Sequence, residues 1–284
     1  MKEGHKAIVI WAILLVMGVA IDSMFAGNSS NGLGDHPAII IIVGIGLLVV
    51  AVSFVLNLRA TKRFMREQRD AITLLHQGEL TKAKEVFSQW AESHMPRIAA
   101  LSRHNVAWTL MRQGDLKQAI EVATSVLRQY PLELQAMMTF TTTMVDLALS
   151  QALSGDIAGA KKTMEDLDSR KGLASNASFP AMKVFTTAVI ACRDGDAASA
   201  SRVLDEKWAS CESLLTGDVL RPMRVLRAFA IASADTRDAG KAELQLVNAR
   251  PAFRGEYDFL GTAWPEMKTF LVANGLANPS DPAS

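Results

Sequence analysis

Histidine, cysteine and carboxylate side chains are the residues of this chain that could do chemistry, and their spacing decides what chemistry that would be. His5, His36, His76, His94 and His104 form no HExxH, HxH or Cys-His cluster, so no metal-ligand set is legible. Cys192 and Cys211 are too few for a disulfide framework, and Cys192, inside an apolar helical stretch, reads as a small buried residue. No GxSxG elbow, P-loop or GxGxxG is present. Glu165, Asp166 and Asp168 sit at ordinary surface spacing and read as a solvated face. One acid stands apart. Asp22 lies in an apolar run, where a carboxylate can relay protons or ions, but its place near the far end favours the headgroup region. The expectation is a chain that is no enzyme, with no catalytic residues, no metal and no cofactor.

The elements that would have to position any such residue begin with two apolar runs. Ala7 to Ala26 is apolar apart from Asp22 and Ser23, and Ala38 to Leu56 carries no charge at all. About twenty apolar residues cross a bilayer. Residues 7–26 and 38–58 are therefore expected to form a two-helix transmembrane hairpin, with a cleaved signal peptide as the competing reading of the first run. The connector 27–37 has no Lys or Arg, whereas Arg59, Lys62, Arg63, Arg66 and Arg69 follow the second run. The positive-inside rule then places residues 1–6 and everything after residue 58 in the cytoplasm, in a multi-pass protein of the inner (plasma) membrane. The same five cations could also meet anionic membrane lipids, and Gly44 and Gly46 in the second span suit helix packing, including homo-oligomerisation through the spans. A formal net charge of +1 argues against a nucleic-acid partner.

Residues 59–250 read differently. Arg103 to Pro131 is two short amphipathic helices around a turn at Gly114-Asp115, with Leu116, Ala119, Ile120, Ala123, Val126 and Leu127 on one face of the second. Aligned on that glycine, further copies appear at Gly78, Gly155 and Gly195, at spacings of 36, 41 and 40 residues. Each glycine is followed by Asp or Glu. Each has an alanine seven residues before it (Ala71, Ala107, Ala148, Ala188) and another five after it (Ala83, Ala119, Ala160, Ala200). Glycine ends the first helix in the left-handed conformation, the acid sits at the positive end of the second, and paired alanines allow the backbones to cross closely. A fifth, weaker pair is expected over Val219–Ala234 and Asp238–Ala249. Residues 251–273 are expected to cap the array, with a short helix from Pro265 to Ala273, and 274–284 to form a disordered tail.

This pattern resembles the tetratricopeptide repeat, a helix–turn–helix of about 34 residues. The copy around Gly114 is the nearest, with Arg103 where the family has a large aromatic residue. The fold class expected is all-α: the transmembrane hairpin followed by a tetratricopeptide-like α-solenoid. The resemblance implies that first helices line a concave groove, pointing His104, Trp108, Met111 and Arg112 into it from the second copy. Val145, Leu149, Phe185, Val189 and Arg193 would come from the third and fourth. Such a strip suits a protein partner presenting an amphipathic helix or an apolar peptide. The layout of spans, basic junction and repeats is similar to that of HemY-type membrane proteins. It implies a scaffold that assembles or localises a membrane-associated complex. The alternative is a subunit of a transport or secretion machine, with working spans and repeats that act as receptor or gate.

Overall fold

The computed structural model describes residues 37–129, 139–170, 176–234 and 239–277, with side chains from Gly44 onward. The expected first span at 7–26, Asp22, the connector up to residue 36, Pro131 and the tail beyond residue 277 lie outside the described residues. The chain divides into two compact units, Met1–Glu67 and Gln68–Ser284.

The first unit is described through α1, Pro37–His76, whose last turns belong to the second unit. Its stretch from Gly44 is long and apolar enough to cross a membrane. Ile45, Leu47, Leu48, Phe54 and Leu56 are all more than half exposed, an apolar surface that water would penalise. Arg59, Lys62, Arg63 and Arg66 are exposed too, as is Arg69 just beyond, and Arg63 pairs with Glu67 at 2.6 Å.

All the regular secondary structure among the described residues of the second unit is helical. After α1 come α2 (Leu80–Ala91), α3 (Pro96–Arg112), α4 (Leu116–Gln129), α5 (Thr139–Ser154), α6 (Ile157–Ser169), α7 (Phe179–Arg193), α8 (Ala197–Leu214), α9 (Gly217–Ala234) and α10 (Ala239–Val247). These make five successive hairpins, from α1–α2 to α9–α10. Each second helix passes the chain to the next pair, and α2 packs on α3, α4 on α5 and α8 on α9. The first helices form an inner layer in which α3 meets α5, α5 meets α7 and α7 meets α9. The alanines at the crossings, Ala71, Ala107, Ala148 and Ala188 against Ala83, Ala119, Ala160 and Ala200, are all buried. A larger side chain there would push the two backbones apart.

The four turns share one chemistry. Gly78, Gly114, Gly155 and Gly195 have φ of +82°, +82°, +95° and +86°. The acid after each glycine donates its amide to a carbonyl five residues back: Glu79 to Leu74 at 2.9 Å, Asp115 to Leu110 at 3.0 Å, Asp156 to Gln151 at 2.9 Å and Asp196 to Ala191 at 2.9 Å. In the last three turns its carboxylate then accepts the amide of Gln118 (3.2 Å), Gly159 (2.9 Å) or Ser199 (2.9 Å). One residue thus closes the first helix and opens the second. Glu79, one methylene longer, makes no such cap and pairs with Lys82 at 3.0 Å.

Beyond α10 the chain turns back as residues 250–277, with α11 (Asp258–Gly261) and α12 (Pro265–Ala273). Residues 274–277, assigned by sequence to the tail, complete the end of α12. Gly275 has φ +68°, the Leu276 amide donates to Leu271 at 2.8 Å, and Leu276 packs on the core.

Candidate functional site

The inner layer is where the sequence places a groove, and the structure fills that face with the chain's own residues. Met111, Arg112, Val145, Leu149, Phe185 and Val189 are buried. His104 is 12% exposed at its side chain, and Trp108 and Arg193 are half-buried. Met111, Val145, Leu149, Phe185 and Val189 belong to one continuous apolar cluster with Tyr257, Phe259, Leu260, Trp264 and Met267. Apolar residues on the first helices need cover from water as much as any core does, and the strap formed by residues 250–277 supplies it.

Three arginines hold that strap. Arg112, the last residue of α3, donates to the Asp218 carbonyl at 3.1 Å and the Glu256 carbonyl at 3.5 Å. Its guanidinium also lies 4.7 Å from the centre of the Phe259 ring. Arg221 of α9 ion-pairs with Glu256 at 2.7 Å, and its Nε reaches both carboxylate oxygens at 2.9 and 3.2 Å. Glu256 is wholly buried at its side chain and also accepts the Ala252 amide at 2.5 Å. Arg193, the last residue of α7, sits 5.2 Å from the Trp264 ring centre and donates to the Ala152 carbonyl at 3.2 Å. Trp264 in turn meets Phe229 of α9 edge to face at 5.0 Å. His76, at the end of α1, lies 3.2 Å from Asp218. Charge balance explains the arrangement: burial disfavours the Arg112 cation and holds its pKa below the usual value, and Glu256 and Asp218 offset part of that cost.

Arg103 works as an inter-repeat clamp. It donates to the Ala91 carbonyl at 3.1 Å, to Glu92 at 3.1 Å and to Gln129 at 2.5 Å, joining the ends of α2 and α4.

A second polar group is buried between α3 and α5. His104 Nδ1 is 3.0 Å from the Thr143 hydroxyl and 3.7 Å from Asp146. Asp146 is 7% exposed at its side chain. Burial raises the Asp146 carboxyl to about 8 and lowers the His104 imidazole to about 4, so both are neutral at pH 7. The signs differ. The contribution of Asp146 to stability is complete below its unfolded value of 3.8 and is lost as pH rises through about 8. That of His104 is complete above 6.5 and is lost as pH falls through about 4. The two oppose each other between pH 4 and 6.5, and only Asp146 acts from 6.5 to 8. Stability is therefore expected to fall by on the order of 1–2 kcal/mol from pH 6.5 to 8. Asp146→Asn should flatten that slope in urea titrations at each pH. An unchanged slope in the variant would show that Asp146 is ionised at neutral pH.

Burial pushes the Cys192 thiol up to about 12 and the Cys211 thiol upward as well, which leaves both poor nucleophiles. Asp146, Asp218, Arg221 and Glu256 escape a sequence reading because their partners lie on other elements. Their visible signals are local: a lone acid in the apolar stretch of α5, and a lone Glu beside Tyr257 and Phe259.

Comparison with known families matches the tetratricopeptide repeat to residues 104–132. No curated protein and no solved structure matches the chain. The matched residues contain the second half of α3 and all of α4, with the turn at Gly114 between them. Among the described residues the chain is thus an all-helical array of hairpins, one of which is similar to the tetratricopeptide repeat.

Proposed function

We propose that this chain is a membrane-anchored scaffold whose repeats hold a protein partner on the cytoplasmic side, as part of a membrane-associated complex. The observation that carries the reading is the union, in α1, of an exposed apolar stretch with the first turns of a repeat array. Isolated in water, so many uncovered Ile, Leu and Phe side chains would drive aggregation; in lipid they are solvated. The exposed cations at Arg59, Lys62, Arg63, Arg66 and Arg69 favour the cytoplasmic side for the repeats that succeed them and give anionic headgroups a surface to meet. The array itself supports partner binding in the manner of its family, and the HemY-like layout fits a role in assembly or localisation. We assign no catalysis.

Trp108 is the test residue, because it remains half-buried where its neighbours are enclosed. Trp108→Ala is expected to reduce capture of the partner at least tenfold in pull-downs from gently solubilised membranes, while shifting the melting midpoint by only a few degrees. Full capture by a folded variant would remove Trp108 from the partner surface. Replacing the membrane region with an unrelated anchor separates scaffold from machine: function kept supports a tether, and function lost supports spans that work in transport.

A further inference from the structure

The strap at residues 250–277 is attached to the repeats as a ligand would be. Its backbone bonds to itself, from Glu256 to Phe253 at 3.3 Å, Asp258 to Gly255 at 3.1 Å, Leu260 to Tyr257 at 2.9 Å and Trp264 to Gly261 at 3.3 Å. The repeats reach it through side chains. Arg221 forks onto the Glu256 carboxylate, Arg112 lies over Phe259 and Arg193 over Trp264. Three guanidiniums on three hairpins therefore read one carboxylate and two ring faces. The guanidinium suits both targets, since its planar fork matches a carboxylate and its flat cation stacks on an aromatic ring.

We propose that the inner face is a recognition surface for a peptide segment carrying a buried carboxylate followed by two aromatic residues. In the free chain Glu256, Phe259 and Trp264 fill it in cis. A partner segment of the same chemistry gains the face by displacing them. This deepens the scaffold reading above and rests on it. Two opposing effects set the equilibrium. Docking buries Tyr257, Phe259, Leu260, Trp264 and Met267, and ordering more than twenty residues of chain costs conformational entropy. A partner's apparent affinity is reduced by the fraction of chains whose strap is open, so the strap sets the threshold for capture.

The probe is a labelled synthetic peptide of residues 250–277, titrated by fluorescence anisotropy against the full chain in detergent micelles. Binding to the wild-type chain is expected to be weak and saturable. Binding to a chain carrying Trp264→Ala, which loosens the strap, should be at least tenfold tighter. A peptide with Glu256→Gln should bind at least tenfold more weakly than the unmodified peptide. Equal weak binding by wild type and a folded Trp264→Ala chain would overturn the proposal. Should that variant fail to fold, hydrogen exchange on the unmodified chain decides. Amides of Tyr257–Leu271 that open before those of Ala148–Leu153 support a displaceable segment, and amides that open only together with them refute it. Capture of a partner by a chain that ignores the peptide would sink this proposal alone. Peptide exchange with no partner captured from membranes would sink the scaffold reading instead.

Discussion

Glu256→Ala is expected to lower the stability of the repeat domain by about 3–5 kcal/mol, the usual consequence of removing one partner from a buried ion pair. For a domain of this size that is a fall in melting midpoint on the order of 10 °C. The size follows from burial. The Glu256 side chain is wholly enclosed and Arg221 is only 25% exposed, so water cannot replace the lost carboxylate. Arg112 lies close enough for its charge to feel the loss as well. Glu256→Gln should cost less, because the amide oxygen can still accept the Ala252 amide that now donates at 2.5 Å. Thermal unfolding of the three proteins in one detergent checks the order. Midpoints for wild type and Glu256→Ala within a degree of one another would mean that Arg112 and Arg221 do not depend on this carboxylate.

The second large effect is expected at a turn. Gly114 has φ +82°, and a Cβ built there would lie 2.6 Å from Thr262 Oγ1 and 3.5 Å from Thr262 Cβ in the strap. Gly195 has φ +86°, yet a Cβ there meets nothing within 4 Å. Gly195→Val therefore carries the backbone penalty alone, about 1–2 kcal/mol. Gly114→Val carries that penalty plus an overpacking cost of about 1–3 kcal/mol. The difference between the two measures how firmly the strap is held against the second hairpin. Thr262→Ala, added to Gly114→Val, removes the nearest atoms and should recover part of it. Equal losses at the two glycines would show that the strap yields freely at Thr262.

The turns and the crossings were legible in the sequence because their causes are local. Gly114 and Asp115 complete their hydrogen bonds within a few residues, and Ala107 and Ala119 face each other across a single turn. A repeated local cause leaves a repeated local signature. The strap had no such signature. The stretch from Phe253 to Phe259 follows no helical period, and its partners lie on the second and fifth hairpins, so the sequence marks only a capping segment over 251–273. The groove reading follows from the same gap. Met111, Val145, Leu149, Phe185 and Val189 carry an apolar pattern that fits either a waiting ligand or a cover supplied by the chain, and periodicity does not distinguish the two. Arg112 and Arg193 read as groove residues for the same reason: their carboxylate and ring partners come from far along the chain.

The contact between Arg112 and Glu256 spans 144 residues. A stack whose units touch only their neighbours can fray from either end and fold piecemeal. Here the strap fastens onto both the second and the fifth hairpins, so while it is docked the hairpins between them should hold together, and fraying should begin only once it has opened. The ribosome meets the same constraint in reverse. At about 5–20 residues per second, the early hairpins wait roughly ten to thirty seconds with greasy inner surfaces bare before their cover emerges. Nascent chains of this protein should therefore need a holding chaperone until residues 250–277 have emerged.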